Sequence, residues 1–373
     1  MNRRSLLALP LTIFLVGCGQ IPQNSAVSSA GHMELEYAQR FSVDYCEDGC
    51  SVIHIGDEDY LLVPEGQEIP QNSGDMTVIR QPVENVYLAA SSAMDVFRSL
   101  DSLSAVTMTS TKASDWTIPE VAAALDSEKM SYIGKYSAPD YEALLTGNCS
   151  LAIESTMILH SPETREQIEK LDIPVLVEHS SYESHPLGRM EWVKLYGLIL
   201  GQYDRAEQVF NDYTAAFHEV NVEEIPDDKR KTAVFFYLSP NGYVNIRKPG
   251  DYVSRMIELA GGESVLTAEM LDIDENALST MNVQLETFYQ TAKDADVLIY
   301  NTTIEGELKS LSDLVAKSDI FADMKAVQEG NVWCSTQDMF QQTMGEADMI
   351  RELNRIFTGE TDGSDLKFLY PLR

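Results

Sequence analysis

A chain of 373 residues with 44% hydrophobic side chains is long enough to form two domains, each with a packed core. Its 59 acidic residues outnumber its 27 basic residues, which gives a formal net charge of −32 at pH 7. This excess of negative charge repels nucleic acids and anionic lipid surfaces, so the composition argues against nucleic acid as a partner.

The first 17 residues have the order of an export signal. Arg3 and Arg4 precede an apolar run from Leu6 to Val16, which is too short to span a membrane and be retained. The stretch from Leu15 to Cys18 resembles the bacterial lipobox, in which the cysteine is acylated and becomes the first mature residue; a free buried cysteine is the alternative. We therefore expect a lipid-anchored protein on the extracytoplasmic face of the cell membrane, at the cell surface or in the periplasm.

Residues 18–50 are interpreted as the lipidated cysteine followed by a flexible tether, because residues 19–38 are rich in Ser, Gln, Asn and Ala. Cys46 and Cys50 lie close together with a glycine between them, a spacing that suits either a small disulfide or two reduced thiols. The alternating segments Ser51–Ile55 and Tyr60–Val63 flank a turn and predict a small N-terminal β hairpin.

Short apolar strands then alternate with helical stretches, which predicts a parallel α/β lobe over residues 51–184 that includes the hairpin. The predicted strands of this lobe are 85–90, 105–108, 131–133, 151–153 and 175–177. The same rhythm resumes over residues 226–373, where we expect a second lobe. Its predicted strands are 232–238, 243–246, 297–300 and 332–335, with helices beginning at Asp251 and covering residues 345–357.

Between the two lobes, the segment from His185 to Val220 contains no proline after Pro186 and carries an apolar stripe, which predicts one unbroken helix in a linking segment 185–225. A helix of this length would measure roughly 50 Å, longer than a crossover helix within one sheet requires. The predicted fold class is therefore α/β, with two Rossmann-like lobes whose central sheets are mostly parallel, bridged by one long α-helix.

Several stretches from about Val78 onward resemble the solute-binding proteins of ABC importers for iron siderophores, haem and vitamin B12. Glu183–Lys194 looks like the entry into the bridging helix of that family, and Gly250–Ser264 looks like the second-lobe helix that closes with a Gly-Gly turn. Val283–Ile299 and its first-lobe counterpart Pro139–Ile153 resemble the helices that lead into the next strand of each lobe. The resemblance implies a monomeric receptor without catalysis or cofactor, which delivers a small molecule to a permease and ATPase complex.

The same resemblance assigns a docking role to one carboxylate on each lobe. Members of the family meet basic residues of the permease in this way, and the matching positions here are Glu142 and Glu286. Exposed carboxylates on separate lobes provide complementary charge contacts that set the orientation of docking. The alternative for each is an ordinary solvated glutamate in an acidic chain.

Open α/β sheets place their ligands at the carboxyl ends of the parallel strands, so we expect the ligand in a cleft between the lobes. Aromatic rings there would cover a large planar or apolar ligand, and basic side chains would pair with its oxyanions. The residues expected to contact it are Ser91, Ser92, Lys112, Trp116, Tyr136, Ser155, Thr156, Ser181, Tyr182 and Glu183 in the first lobe, and Tyr237, Tyr243, Asn245, Arg247, Lys248, Tyr252, Tyr300 and Asn301 in the second.

Other kinds of site are less well supported. The spacings Gly-x-Ser-x-Gly and His-Glu-x-x-His are absent, and the six histidines all lie at or before His218, which disfavours a bare-metal receptor with ligands from both lobes. His179 and His185 could ligate a chelated metal, or His185 could shape the helix start beside Pro186, which we favour. Within the importer family the candidate ligands are a ferric siderophore, haem and a corrinoid such as cobalamin; an exported enzyme on the same scaffold and a structural surface lipoprotein are the alternatives.

Overall fold

The computed structural model describes residues 29–71, 73–220, 225–226, 229–274 and 278–373. The predicted signal peptide and Cys18 lie outside these residues. Within the described part of the chain, no helix combines the length and the apolar character that crossing a membrane requires.

A five-stranded sheet opens the described chain. Its strands are β1 (Ser29–His32), β2 (Phe41–Cys46), β3 (Ser51–Ile55), β4 (Glu58–Val63) and β5 (Thr77–Arg80), in that order. The strands β1 to β4 form an antiparallel meander, and β5 pairs parallel to β4. The predicted hairpin is the β3–β4 pair, and the structure extends it into a larger sheet that packs against the first lobe.

The first lobe contains five parallel strands in the order β12-β11-β6-β7-β8, which confirms the predicted α/β lobe. These are β6 (Val86–Leu88), β7 (Val106–Thr109), β8 (Ser131–Tyr132), β11 (Ala152–Ser155) and β12 (Val175–Glu178), and β9 (Gly134–Lys135) and β10 (Ala138–Pro139) form a separate small pair. The helices are α1 (Met94–Ser99), α2 (Pro119–Asp126), α3 (Tyr141–Thr146) and α4 (Pro162–Glu169).

The prediction of a single linking helix is wrong. The chain instead folds back on itself as two helices, α5 (Pro186–Ile199) and α6 (Tyr203–Thr214), and a 3-10 turn over Ala215–Glu219 follows them. Gly201, with φ +71°, ends α5: its N–H bonds the Leu198 carbonyl at 3.0 Å, and the Gln202 N–H bonds the Gly197 carbonyl at 2.6 Å. This is a Schellman arrangement, which favours glycine in the left-handed position.

The fold-back brings α5 and α6 into close contact. A Cβ atom on Gly197 would lie 2.3 Å from the Cβ of Ala206, so only glycine permits this approach. The apolar stripe that suggested one rod is therefore divided between two helices. Leu195 and Tyr196 of α5, and Val209 and Phe210 of α6, belong to one buried cluster.

The prediction of a flexible tether is also wrong for residues 29–50, because this part of the chain contains the strands β1 and β2. Two buried carboxylates near and in α5 hold the connection between these strands. Glu191 accepts hydrogen bonds from the backbone N–H groups of residues 36–38, and Glu183 from those of residues 39 and 40, at 2.8–3.0 Å. Local composition could not reveal this order, because the acceptors lie far away along the chain.

The second lobe contains a seven-stranded mixed sheet in the order β16-β14-β13-β17-β18-β19, with β15 also paired to β13. Its strands are β13 (Thr232–Leu238), β14 (Tyr243–Arg247), β15 (Glu263–Ser264), β16 (Thr280–Gln284), β17 (Val297–Tyr300), β18 (Val332–Ser335) and β19 (Leu369–Pro371). Its helices are α7 (Tyr252–Leu259), α8 (Ala268–Leu271), α9 (Leu285–Ala292), α10 (Thr302–Glu305), α11 (Leu311–Lys317), α12 (Lys325–Gln328) and α13 (Glu346–Thr358). β13 pairs parallel with β15 and β17, and β17 pairs parallel with β18. β14 is antiparallel to its neighbours β13 and β16, and β19 is antiparallel to β18.

The two lobes share part of one apolar core. Met344, just before α13, and Ala347, in its first turn, belong to the buried cluster of the first lobe. Beside them, the buried Asp95 carboxylate accepts a hydrogen bond from the Met344 N–H at 2.9 Å, and the Thr343 hydroxyl donates to the Ser92 carbonyl at 3.0 Å. The two-lobed architecture therefore rests on direct packing between the lobes and does not require an unbroken connecting rod.

Candidate functional site

The segments that follow β7 of the first lobe and β18 of the second lobe touch each other on the side of the sheets where the cleft is expected. Gln341 follows β18, and its side-chain oxygen accepts hydrogen bonds from the N–H of Thr117 at 2.8 Å and from the hydroxyl of that residue at 3.1 Å. Its amide nitrogen donates to the Asp115 carbonyl at 2.7 Å. Asp115 and Thr117 belong to the loop after β7, so loops from equivalent ends of the two sheets are joined across the cleft.

Most of the predicted ligand residues have accessible side chains, either on loops and turns or, for Ser155, Tyr237, Tyr243, Asn245 and Arg247, on β11, β13 and β14. The exposed or half-buried ones are Ser91, Ser92, Lys112, Tyr136, Ser155, Thr156, Ser181, Tyr182, Tyr237, Tyr243, Asn245, Arg247 and Lys248. Five others, Trp116, Glu183, Tyr252, Tyr300 and Asn301, are buried. The side chains of these five buried residues contact other parts of the protein, as described below for each of them.

Glu183 is a structural carboxylate. It is 1% exposed, and besides holding the segment before β2 it accepts a hydrogen bond from the Trp192 indole N–H at 2.9 Å. Burial raises its pKa, while the hydrogen bonds from Trp192 and from the backbone oppose that rise. With its oxygens engaged in this way, Glu183 is not presented to a ligand.

His185 begins the helix α5, as the structural interpretation of this residue required. Its Nδ1 accepts a hydrogen bond from the Leu187 N–H at 3.2 Å, and its ring stacks on Tyr37 with centroids 4.8 Å apart. Burial, helped by the charge of Arg255, lowers the pKa of His185 to about 4, which keeps the ring neutral and able to accept that bond. Among the described residues no group of three or more His, Cys, Asp and Glu side chains is arranged to hold a metal ion.

Two buried aromatic residues of the second lobe pack against charges or the lobe core. The ring of Tyr252 lies under the Arg189 guanidinium, 4.0 Å from its carbon to the ring centroid. Tyr300 is fully buried at the end of β17, where its ring contacts Phe236 edge-on at 5.4 Å between centroids. These contacts join residues that lie far apart in the sequence, so the sequence analysis did not predict that the two rings are buried.

Asn301 and Trp116 also have local partners. The Asn301 side-chain oxygen accepts from the Thr303 N–H at 3.0 Å, which caps α10. The Trp116 indole N–H donates to the Thr111 carbonyl at 3.2 Å and so braces the loop after β7. Both residues shape loops at the carboxyl edges even though their side chains are covered.

Arg247, one of the predicted basic ligand residues, contacts both a carboxylate and an aromatic ring. Its guanidinium is 3.4 Å from the Asp251 carboxylate, and its carbon lies 5.0 Å from the centroid of the Phe340 ring. Phe340 belongs to the turn after β18, so Arg247 sits beside the second-lobe edge. A single long ion pair leaves other N–H groups of the guanidinium available, because Arg carries five donors.

Sequence reasoning missed three apolar side chains at the same edges. Met157 and Leu159 follow β11 and are 48% and 54% exposed, and Ile304 follows β17 and is 58% exposed. The search for polar and aromatic loop residues passed over them. The available signal was an apolar residue within six positions of a predicted strand end, a place where parallel sheets usually present their ligand-binding side chains.

A cavity of about 1130 Å³ lies elsewhere, between the α5 start and the second lobe. Its lining includes Arg230 and Glu263, which flank the amino ends of β13 and β15, and it includes none of the predicted ligand residues. Lys112 instead lines a smaller cavity of about 400 Å³ together with Tyr132. A site at the carboxyl edges stays a prediction, based on where open α/β sheets bind their ligands.

The two predicted docking carboxylates occupy corresponding places in the lobes. Glu142 is exposed in the first turn of α3, which leads into β11, and Glu286 is exposed in the first turn of α9, which leads into β17. A negative charge is favourable at this end of a helix, so neither residue needs a cationic partner within the protein. Both are therefore accessible to an external one.

The paired cysteines are thiols in the structure. Cys46 and Cys50 are both free and buried in the N-terminal sheet. Burial, with the nearby charge of Asp48, raises the pKa of Cys50 to about 11, so its thiol stays protonated and unreactive at neutral pH.

Comparisons with known proteins agree with this geometry. A family model described as periplasmic binding protein matches residues 90–338, so the N-terminal sheet lies outside the match. An uncharacterized lipoprotein of Methanocaldococcus jannaschii is 22% identical over 355 residues, which cover 91% of this chain and 87% of that protein.

Two solved structures share the fold. The periplasmic haem-binding protein HutB of Vibrio cholerae has a TM-score of 0.58 at 16% identity, covering 72% of this chain and 98% of that chain. The petrobactin-binding protein YclQ of Bacillus subtilis has a TM-score of 0.57 at 16% identity, covering 75% of this chain and 93% of that chain. At such identities the likeness concerns the arrangement of the two lobes.

Proposed function

Because this chain belongs to the periplasmic binding protein family, we propose that it is the receptor lipoprotein of an ABC importer. It captures a ferric siderophore or a related metal chelate, such as haem or cobalamin, and delivers it to a membrane permease and its ATPase. The observation that supports the proposal is the contact of Gln341 with Asp115 and Thr117, which joins segments at the carboxyl edges of the two lobes.

Basic side chains at the edges favour a ligand with anionic groups. Arg247 keeps one 3.4 Å ion pair, and Lys112 is exposed after β7. The chain as a whole has a net charge of −32 and therefore repels an anionic chelate. Cationic side chains at the expected cleft would attract such a ligand locally. The haem-binding and petrobactin-binding neighbours support a ligand of the proposed class.

Lipid anchoring through Cys18 is part of the proposal. The order of cationic start, apolar run, glycine and cysteine supports it, and so does the lipoprotein name of the Methanocaldococcus jannaschii relative. Mass spectrometry of the protein purified from membranes tests the anchor: a diacylglycerol adduct on an N-terminal Cys18 is expected, and an unmodified mature chain would contradict it.

The docking role is proposed for Glu142 and Glu286. We expect the Glu142→Ala/Glu286→Ala double variant to bind the detergent-solubilised permease complex at least tenfold more weakly than the parent, because both charge contacts are lost. Two matched controls are Glu163→Ala in the first turn of α4 and Glu269→Ala in the first turn of α8, which are also exposed first-turn glutamates. Equal losses in the controls and the double variant would refute the assignment.

The receptor function is tested with the purified, delipidated protein. A ligand that binds only the folded state stabilises it by about 2.7 kcal/mol at a concentration of 100 times its dissociation constant. We therefore expect ferric siderophores, haemin or cobalamin to raise the melting temperature, and the effect should grow with ligand concentration. A protein that binds no solute and does not engage the permease would refute the receptor proposal.

A further inference from the structure

The turn between β2 and β3 has the geometry of a closed hairpin tip. The Gly49 N–H donates to the Cys46 carbonyl at 3.0 Å, and the Cys46 N–H donates to the Cys50 carbonyl at 3.0 Å. Gly49 has φ +86°, the left-handed conformation of the glycine that ends a three-residue hairpin loop with a bulge. The two cysteines therefore face each other across the hairpin, directly after the pair of Tyr45 and Ser51.

This pairing sets the distance between the backbones of Cys46 and Cys50. Residues opposite each other in a hydrogen-bonded antiparallel pair have Cα atoms about 5.5 Å apart. The two Cα atoms of residues joined by a disulfide lie about 4.4–6.8 Å apart. The hairpin therefore provides a backbone separation that a disulfide can bridge.

The side chains of the two cysteines lie on the same face of the N-terminal sheet. Both belong to one small apolar cluster with Val52, Leu61 and Val63, which is separate from the large cluster that joins this sheet to the first lobe. Cys46 is 6% exposed and Cys50 is 1% exposed. The two thiols are thus on one side of the hairpin, and both are covered from solvent.

The cysteines of the described chain occupy three separate apolar clusters. Cys149 packs against a cluster of the first lobe, and Cys334 belongs to a cluster of the second lobe. Among the described cysteines, only Cys46 and Cys50 share a cluster. The hairpin pair is therefore the place where the fold brings two thiols together.

We propose that Cys46 and Cys50 form a disulfide in the exported protein, which closes the tip of the β2–β3 hairpin. This inference rests on the export that is part of the proposed function, because disulfides persist outside the cytoplasm. The oxidant is another disulfide, of an oxidoreductase or of a small thiol. Its S–S bond breaks as the Cys46–Cys50 bond forms, and its two sulfur atoms leave as thiols that carry the two protons from the cysteines.

The exchange takes place before the N-terminal sheet has formed. The attacking species is a thiolate, and burial raises the pKa of Cys50 to about 11 in the folded protein, so the covered thiol does not react. In the newly exported, unfolded chain both thiols are accessible to the oxidant. Folding then covers the new bond with the apolar cluster that covers the two thiols in the structure.

Mass spectrometry of the full-length protein tests the bond. Protein purified from membranes is denatured in N-ethylmaleimide without a reductant, so that every free thiol is alkylated. We expect alkylation of Cys149 and Cys334, whereas Cys46 and Cys50 become alkylated only after reduction. Alkylation of both hairpin cysteines in a chain that carries lipid on Cys18 would overturn the inference and leave the proposed export intact.

A refolding experiment tests the pairing independently of export. The purified protein is reduced, unfolded and refolded with oxidised glutathione, and the products are identified by mass spectrometry. We expect the Cys46–Cys50 disulfide to be about tenfold more abundant than glutathione adducts of either cysteine, because the second thiol displaces glutathione. In the Cys46→Ala control, Cys50 should instead carry glutathione or remain a thiol. Predominant adducts or free thiols at both positions of the parent would overturn the inference.

Hydrogen exchange tests whether the bond holds the hairpin together. The amides of β2 and β3 should exchange about tenfold more slowly in the oxidised protein than in the reduced protein, with β13 and β17 unchanged. Cys46→Ala/Cys50→Ala should show no difference between oxidising and reducing buffers, whereas Cys149→Ala should behave as the parent. Equal exchange of β2 and β3 in the two forms of the parent would overturn this role of the bond.

Discussion

The Arg189 guanidinium of α5 forms a buried ion pair with the Glu346 carboxylate at the start of α13, and the two side chains are only 3% and 2% exposed. The helix α5 packs in the first-lobe core, whereas α13 contributes to the core of the second lobe. The pair therefore joins the two lobes behind the cleft. Burial raises the pKa of Glu346 and the positive charge of Arg189 opposes that rise, so the charged form of the carboxylate depends on its partner.

Removal of one partner should be strongly destabilising. Arg189→Met leaves Glu346 buried near the Asp251 carboxylate, and loss of one member of a buried pair costs about 3–5 kcal/mol. Urea denaturation measures this loss. Arg255→Met is the control, because its ion pair with Glu258 is about half exposed and should contribute less than about 1 kcal/mol.

Replacement of both partners distinguishes lost charge pairing from lost packing. The double variant Arg189→Met/Glu346→Leu leaves no unpaired charge from this pair, so it should recover part of the stability lost in Arg189→Met. If Arg189→Met lost no more stability than Arg255→Met, the ion pair would not be an important link between the lobes.

Glu154 should make the stability of the protein depend on pH. This residue of β11 is fully buried, neither carboxyl oxygen has a hydrogen-bond partner among the described residues, and burial raises its pKa to about 8. Between the ordinary carboxyl pKa and about 8 the folded state binds the proton more tightly than the unfolded state. The stabilising contribution of the protonated form is therefore complete below the unfolded pKa and is lost as pH rises through the folded pKa.

The variant Glu154→Gln isolates this effect, since the amide has nearly the same shape and does not titrate. The free energy of unfolding of the parent should fall by a few kcal/mol, on the order of 1.4 kcal/mol for each unit of pKa difference, between pH 5 and pH 9 relative to the variant. The buried Tyr87 hydroxyl, whose pKa this carboxylate helps to raise, titrates above that window. Parallel pH profiles for parent and variant would contradict the prediction.

Glu191 should hold the segment between β1 and β2 in place. Its carboxylate accepts four backbone hydrogen bonds and also pairs with Lys194 at 2.7 Å. Hydrogen bonds to a charged group contribute about 1.5–3 kcal/mol each, so Glu191→Ala should release the segment even where the lobes remain folded. Hydrogen exchange measures this directly.

The expected result for Glu191→Ala is fast exchange of the amides of residues 36–38 and of β1, with unchanged exchange in β13 and β17 of the second lobe. Glu207→Ala, an exposed position in α6, should leave both regions as in the parent. Retained protection of residues 36–38 in Glu191→Ala would show that other contacts hold the segment.

The close approach of α5 and α6 should depend on the absence of a side chain at Gly197. Gly197→Ala places a methyl group 2.3 Å from the Cβ of Ala206, and overpacking of this kind costs about 1–3 kcal/mol. The double variant Gly197→Ala/Ala206→Gly moves the methyl group to the other helix and should recover part of the loss. Thermal denaturation of the three proteins tests this, and a double variant less stable than Gly197→Ala would contradict it.

Local patterns in the sequence determined much of this fold. Alternation of short apolar strands with helices predicted the parallel core strands of both lobes, because buried strands need continuous apolar residues wherever they pair. The β3–β4 hairpin followed from alternation around a turn, and the start of α5 at Pro186 followed from helix-capping chemistry. The motifs also identified the family, since they extend over most of the chain.

Tertiary structure decided what depends on contacts between distant residues. The apolar stripe from Val193 to Phe217 has the same period in one rod or in two packed helices, and only the approach of Gly197 to Ala206, with the left-handed Gly201, selects the hairpin. The polar segment before β2 is ordered by carboxylates more than a hundred residues away. The sequence placed the predicted ligand residues near strand ends, but whether a side chain there is covered, as Tyr300 is, or exposed, as Met157 is, depends on what the rest of the chain packs against it.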